Sequence, residues 1–141
     1  MLVNYDLMKD SELMAAAAKA RENAYAPYSQ FTVGAALLSK DGKVFVGSNV
    51  ENVSFGLTIC AERSAIAAAI TAGHRDLEAI AIVTNSEKPA VPCGACRQVM
   101  AEFNPSMKVL AATMDGEVEQ FSLRDLLPLP TQGLLERRQD V

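Results

Sequence analysis

Three cysteines constrain this chain more than any other residues do. Cys93-Gly94-Ala95-Cys96 is a C-x-x-C at the start of one predicted helix, and Cys60 opens another, with Glu62 two residues on. Helix starts carry unpaired N–H groups and positive potential, which favour thiolates over thiols. Positions 93 and 96 lie on one face of a first helical turn, where both sulfurs can reach a single ion. An odd count rules out a fully intramolecular disulfide framework, and a chain of 141 residues has core enough to need no such staple.

Three thiolates form a soft ligand set suited to zinc. Structural zinc sites usually have four protein ligands, whereas catalytic sites have three and leave one position for water. The single histidine, His74, follows Gly73 at the far end of the Cys60 helix. That is about 20 Å of helical rise away, too far for a fourth ligand. A bound metal is therefore expected to keep an open position, and Glu62 stands beside it as a candidate proton shuttle. Three thiolates on one dication leave a negative excess. Arg63 and Arg97, which directly follow Glu62 and Cys96, are candidate hydrogen-bond partners that would offset it. Other readings stay open at this point. Cysteines can be small buried hydrophobes, and C-x-x-C can be a redox pair, although that leaves Cys60 and Glu62 unexplained.

The rest of the chain alternates element types. A helix is predicted from Ser11 to Tyr25, through the alanine run at 15–18, and stops before Pro27. Phe31 to Leu38 reads as a buried strand, Asp41-Gly42 as a turn, and Lys43 to Val50 as a second strand. A helix from Cys60 to Ala72, a strand from Glu78 to Thr84 and a helix from Cys93 to Phe103 follow. Strands at 108–113 and 117–121 flank Asp115-Gly116, and a short helix covers 122–127. Hairpins at both ends with crossover helices between them predict an α/β fold, a three-layer α/β/α sandwich on a mixed five-stranded sheet. The length suits one domain, 1–141, with a charged tail from about residue 132 expected to fray. Lys plus Arg number 13 against 17 Asp plus Glu, a formal charge of −4. That is a poor footing for a phosphate backbone, so no nucleic-acid partner is expected. No apolar run approaches the roughly 18 to 20 residues that span a bilayer, and no secretory pattern is visible, so no membrane association and a cytoplasmic location are expected.

Cys60-Ala61-Glu62 followed by Pro92-Cys93-Gly94-Ala95-Cys96 resembles the signature of zinc nucleoside and nucleobase deaminases. Ala26-Pro27-Tyr28-Ser29 with Phe31, Val33-Gly34-Ala35-Ala36, and Asn49-Val50-Glu51-Asn52 are similar, in order and spacing, to short-chain cytidine deaminases. The likeness covers about Leu13 to Pro128. It implies hydrolytic loss of the exocyclic amine from cytidine and deoxycytidine, giving uridine, deoxyuridine and ammonia, in pyrimidine salvage. It implies one Zn²⁺ per subunit on Cys60, Cys93 and Cys96, with zinc-activated hydroxide attacking C4 and Glu62 shuttling the proton. It further implies Phe31 against the base, the Ala61 backbone at the base carbonyl, Asn49 and Glu51 at the ribose 3′-hydroxyl, and a homotetramer whose neighbouring subunits line each site. By its charge, Glu51 repels a nearby phosphate, which favours nucleosides over nucleotides. The chain departs from the family at Phe55, usually tyrosine and expected either on the wall of the substrate pocket or at a subunit interface, and at Val91, often serine or threonine. Thr131 stands where a phenylalanine typically reaches into a neighbour's pocket, which predicts room for bulkier pyrimidines. A deaminase of modified aminopyrimidine nucleosides, and a silent nucleoside-binding zinc protein, are the alternatives.

Overall fold

Alternation along the strands sorts the apolar residues into two layers. β1 (Val33–Ser39) and β2 (Val44–Ser48) form an antiparallel hairpin, turned at Gly42 with φ +86°. The computed structural model describes residues 5–130; Thr131 and the tail from 132 lie outside them. β1 also pairs antiparallel with β3 (Leu77–Thr84), β3 runs parallel to β4 (Lys108–Thr113), and β4 pairs antiparallel with β5 (Val118–Ser122). The sheet order is β2-β1-β3-β4-β5, the mixed five-stranded sheet expected from the sequence. α1 (Tyr5–Arg21) precedes the sheet, α2 (Ala61–Thr71) joins β2 to β3, α3 (Gly94–Phe103) joins β3 to β4, and α4 (Leu123–Leu126) follows β5.

Successive strand side chains point to opposite faces. Val33, Ala35 and Leu37 of β1 and Ile80 and Ile82 of β3 pack with Ala65, Ile66 and Ala69 of α2 and Cys96 and Met100 of α3. Their neighbours in sequence, Ala36, Ala79, Ala81 and Val83, pack with Leu13 and Ala17 of α1. One face therefore carries α2 and α3, and the other carries α1.

Two glycines set how closely the helices lie. A Cβ on Gly34 would come within 1.9 Å of the Ala17 carbonyl oxygen in α1. One on Gly47 would come within 2.5 Å of the Ala65 nitrogen and 2.6 Å of the Ala61 oxygen. Any side chain at Gly47 would push the first turns of α2, and hence Cys60 to Glu62, away from the sheet.

Among the boundaries that differ from expectation, two bear on the site. The first helix ends at Arg21 rather than Tyr25, because the Tyr25 backbone pairs instead with the segment after β2. Its N–H donates to the Asn49 carbonyl (2.9 Å), and its carbonyl accepts from the Glu51 N–H (2.8 Å). β1 begins at Val33 rather than Phe31, because Phe31 and Thr32 bond side chains. Asn49 Nδ2 donates to the Phe31 carbonyl (2.7 Å), and the Thr32 N–H donates to Asn85 Oδ1 (3.3 Å). Both departures draw loop backbone toward the ends of β1 and β3.

Candidate active site

Cys60 is the N-cap of α2 and Cys93 the N-cap of α3, both in extended backbone, and neither side chain folds back to cap its own helix. Their sulfurs are thus left free to turn outward. Cys96 lies in the first turn of α3 and is fully buried. The three Sγ atoms lie within 4.8 Å of one another, with Cys60 and Cys93 3.8 Å apart. Two sulfurs each about 2.3 Å from one tetrahedral zinc stand about 3.8 Å apart, so the donor set fits that ion. No fourth Cys, His, Asp or Glu joins the group among the described residues.

The cluster polarises its neighbours. Cys60 is lowered to about 5, first by the hydrogen bond it shares with Cys96 and then by Arg63, whose Nη2 donates to its sulfur at 3.5 Å. Cys96 is pushed up as the thiol in that pair, and its burial adds to the rise. Glu62, one residue into α2, is only 5% exposed. Burial raises its carboxyl above the ordinary range, and the Cys60 charge adds to the effect.

Glu62, Cys60, Ala61 and Cys93 line a cavity of about 240 Å³, together with Phe31, Asn49 and Glu51 from the loops. Asn49, 7% exposed, uses Oδ1 to accept the Val33 N–H (2.9 Å) and Nδ2 to donate to the Phe31 carbonyl. One amide hydrogen and one lone pair remain for another partner. Glu51 Oε1 accepts the N–H groups of Tyr28 (2.9 Å) and Ser29 (3.2 Å). Those bonds and the Ser29 hydroxyl, the largest influence, hold its carboxyl below the ordinary range.

This pairing of three helix-start thiols with a buried glutamate matches a known family. Residues 7–113 match the cytidine and deoxycytidylate deaminase zinc-binding region. The chain belongs to this deaminase family. A protein named cytidine deaminase from Halalkalibacterium halodurans is 52% identical over 117 residues, 82% of this chain and 89% of that one. The crystal structure of cytidine deaminase from Burkholderia pseudomallei is 54% identical with a TM-score of 0.81, covering 84% of this chain and 95% of that one. That of cytidine deaminase from Mycobacterium tuberculosis is 41% identical with a TM-score of 0.73, covering 94% and 100%. As a zinc-binding deaminase the chain takes zinc as its cofactor, and Cys60, Cys93 and Cys96 are the group among the described residues suited to it.

One expectation for this deaminase is corrected. Arg97 does not bond a sulfur. Its Nε donates to the Pro92 carbonyl (2.7 Å) and its Nη1 to the Leu126 carbonyl (3.1 Å), which pins the approach to α3 against α4. Backbone carbonyls after Pro92 and at the end of α4 are short of donors, and the guanidinium fills that need. Phe55 stands outside the cavity as the described residues of one chain form it, and its exposure suits the subunit-interface reading. It sits 76% exposed on a one-turn 3₁₀ helix, Phe55–Leu57, with its ring edge-on to Tyr28 at 6.0 Å. His74, beyond α2, faces Asp41 (3.3 Å) and the Phe45 ring, as its place in the sequence suggests. Ser29, Thr58 and Thr84 also line the cavity, although the motifs did not single them out for a role. For Thr84, a polar residue closing a buried strand was the available signal.

Proposed function

We propose that this chain deaminates free cytidine and deoxycytidine hydrolytically, and that Glu62 is its proton shuttle. One observation carries the reading: a buried carboxylate shares a nucleoside-sized cavity with two of three converging thiols. Cys60, Cys93 and Cys96 would hold zinc, which supplies the Lewis acidity that makes water a nucleophile near neutral pH. Glu62 takes a proton from the water adding at C4 and delivers it to the ring nitrogen. A second transfer by Glu62 protonates the amine, the C4–N bond breaks, ammonia leaves and a carbonyl remains. The Ala61 N–H holds the base carbonyl, Phe31 packs on the base, and Asn49 and Glu51 hold the ribose 3′-hydroxyl. Arg63 offsets the thiolate charge.

Among the described residues, the cavity lining includes Glu51 and Glu62 but neither lysine nor arginine. A 5′-phosphate would meet negative charge without a counter-charge, which supports nucleosides over nucleotides. Val53, Phe55 and Leu57 are exposed by 75%, 76% and 65% on the loop that leads into Cys60. A run of exposed apolar side chains supports a protein interface, and we read it as part of a homotetramer with shared sites. No described helix is long and apolar enough to cross a membrane. A cytoplasmic role in pyrimidine salvage completes the proposal.

The test is loss of ultraviolet absorbance on adding cytidine to zinc-loaded protein, after chelation and after zinc is restored, with cytidine monophosphate alongside. Turnover of cytidine that follows zinc occupancy, with little on the monophosphate, is expected. No turnover of cytidine at full zinc occupancy contradicts the reading.

A further inference from the structure

The Glu51 carboxylate does not hold itself in place. Glu51 lies on irregular chain beyond the end of β2, and the side-chain bonds its carboxylate makes reach one segment, Tyr28 and Ser29. Within that segment the Ser29 hydroxyl has two jobs. It donates to Glu51 Oε2 at 2.5 Å, and it accepts the Phe31 N–H at 3.0 Å. Its single hydrogen is committed to the carboxylate, so its lone pairs are turned toward the Phe31 amide. One hydroxyl thus links a carboxylate and an aromatic residue that both line the cavity.

The surrounding backbone holds Ser29 at this junction. Gln30 has φ +59°, a left-handed conformation that a non-glycine residue adopts only when its surroundings enforce it. Its N–H donates to the Ala26 carbonyl (3.0 Å), and its carbonyl accepts from Asn85 Nδ2 (3.0 Å). Asn85 Oδ1 in turn accepts the Thr32 N–H. With Tyr25 paired to Asn49 and Glu51 at one end and Asn85 bonded at the other, the segment is tied to neighbouring chain on both sides of Ser29, whose hydroxyl meets Glu51.

We infer that Ser29 is a positioning residue that sets the Glu51 carboxylate and the Phe31 ring in register, so that sugar and base are recognised together. The inference rests on the proposed contact between Glu51 and the ribose 3′-hydroxyl. Ser29 touches neither sugar nor base in this scheme, and acts through Glu51 and Phe31.

The test compares cytidine with 3′-deoxycytidine in wild type, Ser29→Ala, Ser29→Thr and Glu51→Gln. Circular dichroism and zinc content check that each variant is folded and loaded. A charge-assisted hydrogen bond of this kind predicts that Ser29→Ala raises KM for cytidine by about tenfold, with kcat little changed. The penalty for removing the 3′-hydroxyl should shrink in Ser29→Ala and return in Ser29→Thr, which keeps the hydroxyl. A general loosening of the fold would not read out as a change in dependence on one substrate hydroxyl. If Glu51→Gln abolishes the 3′-hydroxyl penalty while Ser29→Ala leaves it whole, the inference is overturned and the sugar contact stands. If Glu51→Gln leaves the penalty whole, the sugar contact itself fails, and the inference with it.

Discussion

The two walls of the cavity are built by opposite means. The wall carrying Cys60, Ala61, Glu62 and Cys93, with Cys96 buried behind it, consists of the first turns of two regular helices, seated on the sheet by the core and by the bare backbone at Gly47. The wall carrying Phe31, Asn49 and Glu51 is irregular chain, held by bonds from side chains to backbone at sequence separations of 16 to 23. Packing fixes the first wall, and shared metal ligation and proton transfer demand placement within about 0.5 Å. Small sets of hydrogen bonds between separate loop segments fix the second, the wall proposed to hold the sugar. Changes to the helix wall should therefore act on metal and kcat, and changes to the loop wall on KM.

Replacing the buried ligand, Cys96→Ala, breaks this division most severely. Zinc per chain should fall to the level of chelated protein, and cytidine turnover with it; elemental analysis beside the absorbance assay reads both. Gly47→Ala comes next. The new methyl meets the backbone of α2 at 2.5 Å and 2.6 Å, so overpacking should cost about 1–3 kcal/mol in denaturant unfolding. Zinc affinity should drop as well, although no ligand is touched. Wild-type affinity in a destabilised Gly47→Ala protein would show that the helix starts do not depend on this contact.

A finer separation concerns the two arginines. Arg63→Ala removes the cation bonded to Cys60, and zinc affinity or kcat should fall about 10- to 100-fold. Arg97→Ala should leave zinc affinity near wild type and lower the unfolding free energy, by about 1–3 kcal/mol, because the Pro92 and Leu126 carbonyls lose their donor. Equal losses of zinc in both variants would restore the thiolate role that the sequence suggested for Arg97. The smallest expected effect is on pH. The carboxyl of Glu51 lies below the ordinary glutamate range, so it stays ionised as pH falls through that range and protonates only beneath it. KM for cytidine should accordingly stay flat across the ordinary range and rise only at lower pH. A KM that climbs within or above that range would mean that the Ser29 and Tyr28 bonds do not hold the charge.

The same contrast explains what could be read from the sequence. The order of elements, the five strands and the cysteine cluster were legible because they rest on local periodicity and on ligand spacing within one turn. Glu62 was legible through its distance from Cys60. The loop wall was legible only where residues resembled a family motif, and there the physical detail escaped. Nothing local announces that Tyr25 leaves its helix to pair with Asn49 and Glu51, or that Arg97 turns to Leu126 rather than to a thiolate next door. Phe55, which the sequence leaves between pocket wall and subunit interface, stands on a 3₁₀ turn with no buried residue and turns outward. Ser29 had no signal of its own, since its partner lies 22 residues away.

The division of labour is tested most directly by steady-state kinetics on cytidine for Glu62→Gln and Glu51→Gln side by side, at full zinc occupancy. Loss of Glu62, the proposed proton shuttle, should lower kcat by about a thousandfold with KM little changed. Loss of the Glu51 charge should raise KM by about tenfold or more, with the smaller effect on kcat. Variants that alter the same kinetic parameter to the same degree would contradict a cavity with one wall for chemistry and one for selection.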